Sequence, residues 1–150
     1  MANVTGNVAA YSITNQHVSP TADLPSSCVR HIFKPSTDFG LSTVSTPVAA
    51  DKMVYVASGV GTIKGFHGLV NAAGSAASIT MDLKKNGTTI LSAPINITNS
   101  TGNRVAVDGT LTSVTLAAGD VLTIVLAVSS STGMQGPFAW VVIEEVSVSA

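Results

Sequence analysis

Charge is the scarcest property of this 150-residue chain: Asp, Glu, Lys and Arg together make up 10% of it, against about a quarter in ordinary soluble domains. The seven Lys and Arg residues are spread along the chain and the net charge is −1. Phosphate binding needs clustered cations that displace counterions, and aromatics at 5% are too few for a base-stacking platform. Nucleic acid is therefore not an expected partner. Cysteine is almost missing: Cys28 stands alone, so no internal disulfide can form. No apolar run approaches the ~20 residues that cross a bilayer, so no membrane partner is expected. The first residues, MANVTGNV, have neither a basic nor an apolar region of the kind that opens a signal peptide, and the expectation is synthesis in a host cytoplasm. Four Asn-x-Thr triplets, at Asn3, Asn86, Asn96 and Asn99, carry no weight without a secretion signal.

Catalytic constellations are missing as well. There is no Gly-x-Ser-x-Gly elbow. Glu144 and Glu145 are adjacent, and on a strand they point to opposite faces and cannot flank one bond as an acid–base pair. Cys28-x-x-His31 has the spacing of a zinc half-site, but no second ligand pair follows it. An enzyme is not expected, and no metal or cofactor is called for.

Short β-branched runs, broken by Gly, Asn and Asp every eight to twelve residues, fill the chain from Pro47 onward. Strands are expected at 52–57, 61–71, 78–84, 88–91, 95–98, 104–107, 111–116, 121–129 and 138–148. No i, i+3, i+4, i+7 stripe of useful length occurs, so helix should be nearly absent. The prediction is an all-β, jelly-roll-like sandwich of about eight strands over 46–150, preceded by an extended arm over 1–45. That arm carries Pro20, Pro25 and Pro35, and its Arg30 and Lys34 balance Asp23 and Asp38, which suits contact with protein and not with a genome.

Within the body, 78–84 alternates, with Ile79, Met81 and Leu83 facing inward. Asn86-Gly87 then supplies the two positive-φ positions of a type I′ hairpin. Gly119-Asp120 makes a second tight turn. The segments 72–77 and 129–136, rich in Ala, Gly, Ser and Thr, read as loops. The runs 121–128 and 138–143 are apolar on both faces, which suggests a second contact surface beyond the core. Leu122, Ile124, Leu126, Phe138, Trp140 and Val142 are the candidates for subunit packing. Trp140, flanked by apolar residues, favours packing over a sugar platform. In the arm, Val29, Ile32 and Phe33 are the candidate anchors, with folding back onto the chain's own sandwich as the equal alternative.

Leu116-x-x-Gly119-Asp120-x-Leu122-x-Ile124, followed by the apolar run from Phe138 to Glu144, resembles the C-terminal part of C1q/TNF-like jelly rolls. With the Lys85-Asn-Gly-Thr-Thr-Ile90 hairpin, the region from Lys52 to Glu145 also resembles capsid decoration (cement) proteins of tailed bacteriophages. The resemblance implies a virion structural protein on the outer capsid surface, a homotrimer that staples the major capsid protein or another virion protein. Two alternatives share the fold: a receptor- or glycan-binding module of a phage fibre, and a jelly-roll capsid subunit.

Overall fold

The computed structural model describes residues 30–40 and 47–146. Val29 and Cys28 lie outside the described residues. Among the described residues there is no helix, and nine strands form one curled antiparallel sheet. In chain order they are β1 (Arg30–Phe33), β2 (Ser36–Asp38), β3 (Ala50–Val56), β4 (Gly61–Lys85), β5 (Thr88–Thr89), β6 (Ile95–Thr98), β7 (Val107–Gly109), β8 (Thr115–Leu116) and β9 (Val121–Val146).

Two long strands organise everything else. β4 and β9 pair along their whole length, from Gly61↔Glu145 to Lys85↔Leu122. A straight strand of 25 residues would run about 80 Å, roughly twice the width of a domain this size. The pair must fold over on itself, and it does so near its midpoint. The register shifts between Ala73 and Ala76. Gly74 and Gly133 face each other there, with φ of 74° and 71°. The segments 72–77 and 129–136, expected as loops, are thus strand that turns a corner. Their small side chains let the two backbones bend together.

Folding the long pair over makes a sandwich of two layers. One layer holds the first half of β4 and the last half of β9, edged by β1 and β2 on one side and by β7 and β8 on the other. The second layer holds the last half of β4 and the first half of β9, edged by β3 on one side and by β5 and β6 on the other. The layers face each other closely: a Cβ on Gly68 of the first would lie 2.6 Å from Ile95 and 2.7 Å from Met81 of the second. The inward parity of β4 changes along its length, first at the register shift between Ile63 and Gly65 and again before the corner. Ile63 gives way to Phe66 and Val70, then Ala73, Ala77, Ile79, Met81 and Leu83 take over, all buried.

Several expectations change in detail. Residues 30–38, assigned to the arm, are paired edge strands of the body. The strand expected at 104–107 is displaced to β7, because Arg104 adopts φ 58° and breaks the extended run before Val107, and that expected at 111–116 is reduced to β8 and an isolated bridge from Leu111 to Leu91. Ile95–Thr98 stands as expected, and so does the Asn86-Gly87 hairpin, with φ of 50° and 81°.

Candidate functional site

Three places bring the sequence candidates together, and the first is structural. The two turn motifs, 33 residues apart from Asn86 to Gly119, meet at one end of the sandwich. Asn86 Nδ2 donates to Asp120 Oδ1 at 2.7 Å, and Val121 N donates to Asn86 Oδ1 at 2.8 Å. The other Asp120 oxygen accepts from Ala117 N at 2.9 Å, and Lys85 Nζ stands 3.8 Å from it. The bond from the Ala117 amide, then that from Asn86, then the Lys85 charge hold the Asp120 carboxyl below its ordinary range. Gly119 N and Asp120 O close onto Ala57 at the end of β3, at 2.9 and 2.8 Å. Asn86, Gly87, Gly119 and Asp120 therefore form a latch that ties three chain segments.

Beside this latch a carboxylate is buried. Glu145, 3% exposed, accepts from Ser58 Oγ at 2.7 Å, while its Oε1 has no hydrogen-bond partner among the described residues. Burial first, then the hydrogen bond and charge of Glu145, push the Tyr55 phenol up to about 12. Glu144 faces the other way, 3.7 Å from Lys64. The two glutamates point to opposite faces, as strand geometry requires.

The second place is the side of the sandwich where β1 lies over β3. Phe33 of β1 meets Tyr55 of β3 at 6.0 Å between ring centroids, and His31 stands 6.3 Å from Phe33. Further along, Lys52 of β3 bonds the Asp38 carbonyl, lies 3.4 Å from its carboxylate and covers the Phe39 ring. Among the described residues β1 and β3 each pair with β9 alone, so each leaves one backbone edge open. Large apolar side chains are exposed along this side: Ile32 at 64%, Phe33 at 40%, Met53 at 67% and Val56 at 53%. Two of the three candidate anchors, Ile32 and Phe33, sit here.

The subunit-packing candidates divide. Leu122, Ile124 and Leu126 are no more than 1% exposed and fill the chain's own core. A side chain already enclosed on all sides has no surface left for another subunit, so these three are corrected to core residues. Phe138, Trp140 and Val142 lie on the outer face of the first layer, half-buried.

That outer face is the third place. Trp140 stacks on His67 of β4 at 4.9 Å, and His67 Nδ1 lies 2.7 Å from Asp108 Oδ1 on β7. Gly65 makes room for the imidazole, since a Cβ there would lie 2.7 Å from His67 Nε2. Phe138 tilts against Trp140 at 5.9 Å and forms the edge of an open depression of about 510 Å³. Leu69 shares its floor, and Asp38, Asn71 and Arg104 stand around it. Arg104 Nε donates to Asn71 Oδ1 at 2.9 Å. No sequence signal marks this site, because Arg104 is remote from Asp38 and Phe138 in the chain and no local pattern joins them. The positive φ of Arg104 leaves no mark in composition either.

Among the described residues no group of three or more His, Cys, Asp or Glu side chains is placed to hold a metal ion. No helix among them is long and apolar enough to cross a membrane. No protein-family model matches the chain, and no curated protein matches it. Among solved structures, dimeric latent PorU from Porphyromonas gingivalis is similar at 18% identity and a TM-score of 0.28, over 77% of this chain. The chain spans 10% of that protein's length, and a likeness so distant leaves its function to be read from its own surface.

Proposed function

We propose that this chain is a non-catalytic structural protein that works by attachment through its β1–β3 side. In the setting its sequence resembles, it is a homotrimeric decoration protein on the outer surface of a viral capsid, bound to the major capsid protein or another virion protein. The observation that carries this reading is the row of exposed apolar residues, Ile32, Phe33, Met53 and Val56, on two strands whose outer edges have no partner among the described residues. An exposed apolar edge strand is a template for pairing, and natural monomers blunt such edges with charge. Here the charges of Lys52 on β3 and Asp38 on β2 are spent on each other, and the apolar row stays exposed beside them.

The mechanism is thermodynamic. Backbone groups of β1 or β3 gain partners from a neighbouring chain, and the apolar side chains leave water in the same step. A trimer presents such contacts three times, so modest single contacts give tight attachment to a repeating shell. The test is sedimentation of the purified protein alone and with capsids. The expected result is a mass three times that of the chain and co-sedimentation with the shell. A monomer at micromolar concentration that leaves capsids bare would refute the reading.

A further inference from the structure

The depression on the outer face adjoins the attachment side at Asp38 of β2 but faces elsewhere: it is lined by β4, β9, the end of β2 and the loop before β7, while attachment uses the edges of β1 and β3. We propose that this depression binds a carboxylate-bearing saccharide, with Arg104 taking the carboxylate and Phe138 and Leu69 receiving the sugar ring.

Arg104 is a non-glycine residue held at φ 58°, a conformation that costs free energy and persists only where its surroundings fix it. Its backbone N donates to Val70 O at 2.8 Å, and the neighbouring Asn103 Oδ1 accepts from Ala73 N at 2.8 Å. Its side chain is fixed too, because Nε donates to Asn71 Oδ1. That bond occupies one edge of the guanidinium and leaves the two terminal nitrogens as a fork. Among the described residues no carboxylate pairs with this fork, whereas the other acid at the site, Asp38, is paired with Lys52. A fixed guanidinium fork without an acid is suited to bidentate capture of a carboxylate.

The rest of the site selects what carries that carboxylate. Phe138 and Leu69 offer an apolar floor that a small free anion would not use. A purely apolar ligand would displace water from Arg104 and Asp38 and return no hydrogen bond for it. A pyranose has an apolar C–H face for the floor and hydroxyls that can donate to the Asp38 carboxylate. The volume of about 510 Å³ falls within the range of small-molecule sites. Trp140, braced by His67 and Asp108, extends the aromatic surface beside Phe138.

Trp140 is the only tryptophan in the chain and reports on the site through its contact with Phe138. Glucuronate, N-acetylneuraminate, glucose and acetate are titrated separately into the full-length protein, followed by tryptophan fluorescence and by the indole N–H signal in NMR. At least one of the two acidic sugars should give a saturable change, with glucose binding at least tenfold more weakly. Acetate should leave the indole signal in place. Arg104→Gln should weaken the acidic sugar tenfold or more at an unchanged thermal midpoint. Should that variant fail to fold, Arg104→Lys keeps the charge and loses the fork, and it must weaken binding as well. No saturable response to either acidic sugar, equal binding of glucose, an equal response to acetate, or binding indifferent to the Arg104 variant that folds would each overturn the proposal.

Discussion

Replacing Gly74 with Ala should be among the most damaging single-methyl changes in this fold, and its cost can be worked out in two parts. Gly74 has φ 74°, a left-handed conformation that costs an L-residue about 1–2 kcal/mol. The added Cβ would also lie 2.3 Å from the Thr132 carbonyl oxygen and 2.7 Å from Met134 N. Both are backbone atoms of the other long strand, so relief requires the β4–β9 corner to open, at a cost of about 1–3 kcal/mol. The total, about 2–5 kcal/mol, is a large share of the 5–15 kcal/mol typical of a domain. Gly119→Ala separates the two parts, since Gly119 has φ 87° and a methyl added there would meet nothing within 4 Å. It should lose only the conformational part. Urea unfolding of both variants, read at constant slope, gives the comparison directly. If Gly74→Ala cost no more than Gly119→Ala, the tight corner that folds the long pair into a sandwich would be refuted.

Ile124→Ala should cost about 2–5 kcal/mol in thermal unfolding, with the oligomeric state of the folded fraction unchanged; a change of mass without loss of stability would return Ile124 to an interface. Asp120 has its folded pKa depressed, so its stabilisation is present above the ordinary carboxylate pKa and is lost as pH falls through the lower folded value. Asp120→Asn should therefore lower the unfolding midpoint at pH 7 and shrink the loss between pH 7 and the acid limb, and an unaltered pH profile would contradict the latch. For Tyr55 the sign is opposite: its folded pKa is raised to about 12, so the unfolded chain ionises first and stability falls as pH rises from about 10 to about 12. Tyr55→Phe should flatten that alkaline decline, checked by thermal midpoints across the interval.

Local chemistry is legible in the sequence and distant pairing is not. Asn86-Gly87 announces its hairpin because only residues tolerant of positive φ fit there, and Ile79, Met81 and Leu83 announce their face because strand alternation is local. The corner at Gly74 and Gly133 reads as loop because Ala, Gly and Ser look the same in a loop as in a strand that must bend against another backbone. The apolar outer positions of β9 suggest a second surface, but which parity faces inward depends on how β9 folds over with β4, its partner far away in sequence. Ile32 and Phe33 stand out as anchors by their apolar character, and their place on an exposed edge becomes visible only through the pairing of β1 with β9. The depression around Arg104 leaves no local trace at all.

Attachment through the exposed apolar side of β1 and β3 is open to a sharp test by sedimentation with and without capsids. The full chain is compared with an Ile32→Asp, Met53→Asp double variant, because both side chains are largely exposed and their replacement leaves the core intact. Both chains are expected to sediment as folded trimers on their own, and only the unaltered chain should co-sediment with capsids. An unaltered chain that leaves capsids bare, or a variant that still co-sediments with them, would contradict attachment through this side.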